Sequence, residues 1–381
     1  MTDHYFYNAP FKTLSSASVG AEANMQPAKR CLIVGGGGFL GSHLVSHLTA
    51  KGFKIRVFDR NRLHLEQNLG DVQGLQIIYG DIGNQDKARA GLAGVTDVVY
   101  LAGSTVPANS MLDVAFDLTS NALPLIGLMQ LLRKAESIRR VIYLSTGGAI
   151  YGDSHRPRPI PESHPTRPVS SYGLTKLIGE RYLDFFLANT EIRGYVLRPS
   201  NAYGERQNLR RPQGAVGHFL QALMADSAIV LYGDVVRDYV YAGDVAEAIR
   251  LCIEDTTTAP GSVQTFNVGT GRGVSLTELV ERIQNITGKT FNIVRHPGRS
   301  FDCRYNVLDC GVIGRLLGWK PRVALEEGID ITWQWIQQTQ QRKHCRSMYR
   351  HAPSRPARTV DRRVGSKTFG RQDVNNPFLH G

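Results

Sequence analysis

Val34-Gly35-Gly36-Gly37-Gly38-Phe39-Leu40-Gly41 follows the apolar run Cys31-Leu32-Ile33-Val34 and opens an amphipathic stretch, so the chain passes from strand through a glycine turn into helix. Glycines stand at 35, 38 and 41. In a strand-turn-helix unit the first makes the tight turn, the second lets backbone approach a pyrophosphate, and the third lets helix and strand pack closely. The helix N-terminus then offers unbonded N–H groups and a positive dipole end to the phosphates, those of Phe39 and Leu40 among them.

Outward from this unit, Lys54-Ile55-Arg56-Val57-Phe58, Leu75-Gln76-Ile77-Ile78-Tyr79, Asp97-Val98-Val99-Tyr100-Leu101 and Val141-Ile142-Tyr143-Leu144 read as strands. Helical patterns near 40–51, 85–93, 112–135 and 172–188 separate them. Strand and helix in turn predict an α/β fold, a doubly wound parallel sheet of the Rossmann type. After Tyr195-Val196-Leu197 the order loosens, with helices expected near 214–225, 243–254, 275–287 and 325–340. That predicts a smaller C-terminal substrate-binding lobe. The expected division is a disordered extension over 1–28, a mainly nucleotide-binding domain over 29–195, a lobe over 196–340 that partly returns to the core sheet, and a basic disordered tail over 341–381.

Charge and cysteines narrow the function. The net charge is +12, but residues 341–381 hold ten Lys/Arg against two Asp/Glu, while 30–340 hold 33 against 29. The basic excess belongs to the tail, so no nucleic-acid or membrane partner is expected for the folded part. No apolar run approaches the roughly twenty residues of a membrane span. Cys31, Cys252, Cys303, Cys310 and Cys345 form no CxxC pair and read as reduced thiols, which points to the cytoplasm. His43 and His47 sit one helical turn apart without a third ligand, so no metal is expected.

Asp59 ends the second strand, where a carboxylate accepts both ribose hydroxyls and repels a 2′-phosphate; NAD is favoured over NADP, although Arg60 beside it could receive that phosphate. Asp81, after the third strand, is placed to meet the adenine or to close its own turn. In Ser170-Ser171-Tyr172-Gly173-Leu174-Thr175-Lys176, helix spacing puts Tyr172 and Lys176 on one face. A nearby ammonium favours phenolate and would lower the tyrosine pKa, making Tyr172 a general base.

These pieces occur in a set order: the glycine turn, Asp59, Gly80-Asp81-Ile82, Leu101-Ala102-Gly103, Ser145-Thr146-Gly147-Gly148-Ala149-Ile150-Tyr151-Gly152, Tyr172-xxx-Lys176, and Leu197-Arg198-Pro199-Ser200-Asn201-Ala202-Tyr203-Gly204. In this order the chain resembles the extended short-chain dehydrogenase/reductases over residues 29 to 337, most closely the NAD-dependent nucleotide-sugar epimerases and dehydratases typified by UDP-glucose 4-epimerase. The resemblance implies a tightly held NAD and a nucleotide diphosphate sugar, with a UDP-sugar favoured. It assigns Tyr172 as base, Lys176 to the nicotinamide ribose, and Pro199-Ser200 to the nicotinamide. Ile82 and Leu101-Ala102-Gly103 would line the cofactor. Asn201 would contact the substrate diphosphate, and Arg237 of Arg237-Asp238-Tyr239-Val240 and Arg299 of Arg299-Ser300-Phe301-Asp302 would clamp it, as guanidinium forks suit its oxygens. It also implies a homodimer packed through the helices near 112–135 and 172–188.

The segment ending at Tyr151 separates reactions. Dehydratases of the family carry Asp-Glu, and decarboxylases a glutamate, where this chain has Gly148 and Ala149, neither of which moves a proton. A 4-epimerase acting through a transient 4-keto sugar is therefore expected, with a 4-keto-sugar reductase or a catalytically silent nucleotide-binding protein as alternatives. Many epimerases carry a hydroxyl residue where Gly147 stands; Thr146 or Ser145 would replace it. Asn306 occupies the place of a bulky tyrosine in hexose-restricted epimerases, which would leave room for an N-acetyl group.

Overall fold

The computed structural model describes residues 30–70, 74–153, 157–209, 214–298 and 303–350, the last nine of them by backbone alone. The expectations placed on residues 1–28 and 351–381, on Arg299 and on Asp302 lie outside these residues.

In chain order the strands are β1 (Arg30–Val34), β2 (Lys54–Asp59), β3 (Gln76–Tyr79), β4 (Asp97–Tyr100), β5 (Arg140–Leu144), β6 (Arg193–Pro199), β7 (Asn201–Tyr203), β8 (Ile229–Tyr232), β9 (Val236–Arg237), β10 (Tyr239–Tyr241), β11 (Val263–Val268), β12 (Val274–Ser275), β13 (Ile293–His296) and β14 (Tyr305–Asn306). Seven of them form one sheet in the order β11-β6-β5-β4-β1-β2-β3, with every neighbouring pair parallel. The order reverses beside β1, and in such sheets ligands bind outside the strand ends at that crevice.

A parallel sheet is covered on both faces, and β1 is apolar at consecutive positions for that reason. Cys31 and Ile33 enter one core with Leu44, Leu48, Val245 and Ile249, while Leu32 and Val34 enter the other with Leu125, Leu128, Met129 and Leu183. A third core gathers Phe219, Leu220, Leu279, Ile283, Ile329 and Trp333 from the helices Ala215–Met224, Leu276–Thr287 and the start of Leu325–Arg350. The last helix runs past residue 340, where a disordered tail was expected. Its Gln, Arg and Lys residues are good helix formers despite their polarity. A compact unit ends at Gln337.

At the head of β1, Gly35 adopts φ +84°, a conformation open to glycine at little cost. A Cβ on Gly41 would strike the Gly35 carbonyl oxygen and the backbone of Gly36. Gly41→Ala is therefore expected to cost about 1–3 kcal/mol through overpacking against backbone. Urea denaturation measures this directly, and NAD affinity should fall with it.

Candidate active site

The cofactor cradle comes first in the chain. Gly35 donates its N–H to the Phe58 carbonyl at 2.8 Å, which fixes the turn against β2. Helix Phe39–Ala50 begins at Gly38 with no side-chain cap, leaving the first-turn amides available to an anion. Asp59 is held at the mouth of the cradle, its two oxygens accepting the N–H groups of Gly37 and Asn61, each at 2.9 Å. Arg60 reaches sideways, donating to Ser104 Oγ at 2.7 Å and lying 3.5 Å from Asp81. Both partners of that ion pair are more than half exposed, so its contribution to stability is small.

The loop Leu101–Gly103 passes so near the turn that a Cβ on Gly35 would lie 2.9 Å from the Ala102 nitrogen. Ile82 is buried beside it. Pro199 ends β6, and the buried Ser200 hydroxyl after it has no hydrogen-bond partner. An uncapped helix start, an anchored carboxylate and an orphaned hydroxyl, all at the strand ends, fit a dinucleotide such as NAD.

Tyr172 lies in the first turn of helix Ser171–Leu187, whose Ser170 cap accepts the Gly173 N–H at 3.2 Å. The helix is fixed from behind by Asp117, a fully buried carboxylate on helix Val114–Leu132. Asp117 accepts hydrogen bonds from Ser171 at 2.6 Å, from Thr175 at 2.8 Å, and from Thr105. Sequence reasoning missed this anchor, although Ser171 and Thr175 stand four apart just before Tyr172 and Lys176. Lys176 Nζ donates to the Leu144 carbonyl at 2.9 Å and lies 5.9 Å from the Tyr172 ring centroid.

Burial governs both groups. It pushes the Lys176 ammonium down to about 8 against the pull of Asp117 and Glu180. It pushes the Tyr172 phenol up to about 12, opposed by a hydrogen bond from Thr146. Desolvation is the first cause at Tyr172, and it acts against the lowered phenol expected from spacing.

The two hydroxyls before Gly147 have different partners. Ser145 donates to Glu180 Oε1 at 2.5 Å, and Glu180 is bound by two nitrogens of Arg198 at 3.0 and 2.5 Å. Arg198 also donates to the Tyr151 hydroxyl at 2.8 Å. Ser145 is therefore engaged in a buried network, whereas Thr146 meets Tyr172. Gly147 itself has no room for a side chain: a Cβ would stand 2.5 Å from Leu308 Cδ1 and 2.9 Å from the Arg198 carbonyl oxygen.

On the substrate side, Asn201 donates both its N–H and its Nδ2 to the Asp238 carbonyl at 3.0 Å. The Asp238 carboxylate is buried and accepts from Thr270 Oγ1 at 2.7 Å and from the Thr270 and Gly271 amides at 2.9 and 3.1 Å. Burial raises its pKa, and those donors oppose the rise. Arg237 precedes it on β9, half-buried, with Nη1 donating to the Val236 carbonyl at 2.9 Å. Asn306 does not border open space: it is 1% exposed, and its Nδ2 donates to the Gly147 carbonyl at 3.0 Å. His43 meets the Glu205 carbonyl at 2.9 Å and His47 meets Glu247 at 2.8 Å. Among the described residues no cluster of His, Cys, Asp or Glu suits a metal.

This fold and site define an enzyme of the extended short-chain dehydrogenase/reductase class. The model of the NAD dependent epimerase/dehydratase family matches residues 31–269, and the chain belongs to that family. A UDP-glucose 4-epimerase of Mycolicibacterium smegmatis is 32% identical over 318 residues, which cover 82% of this chain and 100% of that one. The crystal structure of a UDP-glucose 4-epimerase from Thermotoga maritima with UDP-glucose aligns with a TM-score of 0.74 at 32% identity, covering 82% of this chain and 99% of that chain. That of Thermus thermophilus UDP-glucose 4-epimerase in complex with NAD gives 0.73 at 30%, covering 81% and 99%. The family's cofactor is NAD.

Two outcomes test this geometry. Lys176 has its folded-state pKa near 8 against an ordinary 10.5, so below pH 8 the fold carries the full penalty of a buried charge. As pH rises from 8 towards 10.5 the folded state sheds that proton first, and stability increases. The melting-temperature difference between wild type and Lys176→Met should therefore move in wild type's favour over that range. Gly147→Ser should lower both stability and turnover instead of improving catalysis, because its Cβ meets Leu308 and backbone.

Proposed function

We propose that the protein is an NAD-dependent 4-epimerase of a UDP-hexose. The observation that carries this reading is Tyr172 and Lys176 presented together by the helix Ser171–Leu187, beside a segment, Gly148-Ala149, that holds no further acid or base. Elimination of water or loss of carboxylate needs a second proton-moving group; epimerisation does not.

NAD supplies reversible hydride exchange with a sugar carbon. Tyr172 accepts the proton of the 4-hydroxyl and later returns it, and Thr146 bridges the two and steadies the phenolate. Lys176, when charged, favours that phenolate and binds the nicotinamide ribose. Asn201, Arg237 and Arg299 hold the diphosphate while the keto sugar turns its other face. No net oxidation results.

Plain UDP-hexose is the favoured substrate in this reading, and Asn306, buried against Gly147, lends no support to an N-acetyl pocket. The similarity to UDP-glucose 4-epimerases supports the same choice. Cytoplasmic residence is proposed from the four free cysteines among the described residues.

A homodimer is proposed from Leu112, Phe116, Leu123, Leu174 and Phe185, exposed by 85, 52, 56, 50 and 69% on or beside helices Val114–Leu132 and Ser171–Leu187. Helix Val114–Leu132 has the length and hydropathy of a membrane span, but Leu125, Leu128 and Met129 are packed in the sheet core. Its outward apolar residues suit a protein partner better than lipid. Sedimentation should give a dimer, and Phe185→Glu should dissociate it.

Incubation with UDP-galactose should yield UDP-glucose by NMR, without added cofactor and without net change in nicotinamide absorbance. Net consumption of NADPH would instead identify a reductase. Tyr172→Phe should lose about 100-fold or more in turnover. Thr146→Val should slow turnover far more than Ser145→Ala slows the chemical step. Equal, small effects from both hydroxyl variants would sink the proton path through Thr146.

A further inference from the structure

Asn306 lies on β14, which runs parallel beside β9 with Asn306 opposite Arg237. The pairing is held by backbone bonds on either side: Val236 N–H donates to the Arg304 carbonyl at 2.9 Å, and Asp238 N–H to the Asn306 carbonyl at 3.1 Å. The Asn306 side chain leaves this strand and donates to Gly147, the residue after Thr146. A carbonyl only accepts, so the amide orientation is fixed with Nδ2 towards Gly147. Its Oδ1 is buried without a hydrogen-bond partner, and an amide kept there at that cost is there for its donor.

The approach depends on glycine. Leu308, two residues beyond Asn306, fills the space a side chain at 147 would need. Gly147 thus brings backbone within reach of β14, and one hydrogen bond joins the catalytic loop to the strand aligned with Arg237.

We propose that Asn306 is a positioning residue: through the Gly147 carbonyl it sets where the Thr146 hydroxyl stands against Tyr172, and it ties that placement to the Arg237 strand. This rests on the epimerase reading for its kinetic consequences, though not for the geometry. Binding of a diphosphate at Arg237 would then stiffen the loop that carries Thr146. A substrate lacking the diphosphate would meet a loosely held hydroxyl.

The experiment uses the NAD-loaded enzyme with 3-fluorotyrosine at position 172, followed by 19F NMR, alongside steady-state kinetics. Asn306→Leu keeps the number of side-chain heavy atoms and removes the donor; Asn306→Ser, which is smaller, is the second variant should the first fail to fold. Misplacing a catalytic hydroxyl by a fraction of an ångström is expected to lower kcat about 10- to 100-fold. KM should stay within about threefold, because ground-state binding is untouched.

Thr146→Val with Asn306→Leu should be no slower than Thr146→Val alone, as the two act through one group. The fluorine resonance should move in the same direction in Asn306→Leu as in Thr146→Val. An unmoved resonance in both Asn306 variants, or losses that multiply in the double variant, would overturn the proposal. If the wild type interconverts no UDP-hexose, the epimerase reading fails while the fluorine comparison still decides the role of Asn306.

Discussion

Asp117 is a carboxylate with no access to water, and its position constrains everything around the phenol of Tyr172. A buried charge is tolerated only where donors surround it. Here Ser171 and Thr175 supply them from one helix, and Thr105 from the loop after β4. Those hydroxyls precede Tyr172 and Lys176 by one residue each, so satisfying Asp117 fixes the rotation of the helix that presents both. Packing of apolar faces could hold the two helices together, but would leave that rotation less sharply defined.

The same dryness acts on the reacting groups. Burial disfavours the ionised form of Tyr172 and of Lys176. At Tyr172 the Thr146 hydroxyl opposes that effect. Around this, the Glu180–Arg198 pair with Ser145 and Tyr151 forms a second buried polar network, closed by bidentate geometry.

Much of this was legible in the chain. The glycine turn between β1 and its helix, and five apolar runs, foretold the sheet because parallel strands buried on both faces are apolar at consecutive positions. The seventh strand, Val263-Gln264-Thr265-Phe266-Asn267-Val268, was harder to read: it lies at the sheet edge, and alternation of polar residues hides it. Tyr172 and Lys176 could be found from their spacing, but the sign of their electrostatics could not, since burial is a property of the assembled fold. Asp117, Glu180 and the reason for Gly147 escaped for a related cause: each depends on partners elsewhere in the chain, such as Ser171 for Asp117, Arg198 for Glu180 and Leu308 for Gly147.

The contact between Gly147 and Leu308 makes two distant positions behave as one. A side chain can enter at 147 only if the residue at 308 gives up volume, and a smaller residue at 308 leaves a void unless 147 grows. The choice of which residue presents a hydroxyl to Tyr172 is therefore made in part by an aliphatic side chain that takes no part in proton transfer. A hydroxyl residue at 147 asks for room at 308 and for a shift of the Arg198 carbonyl as well.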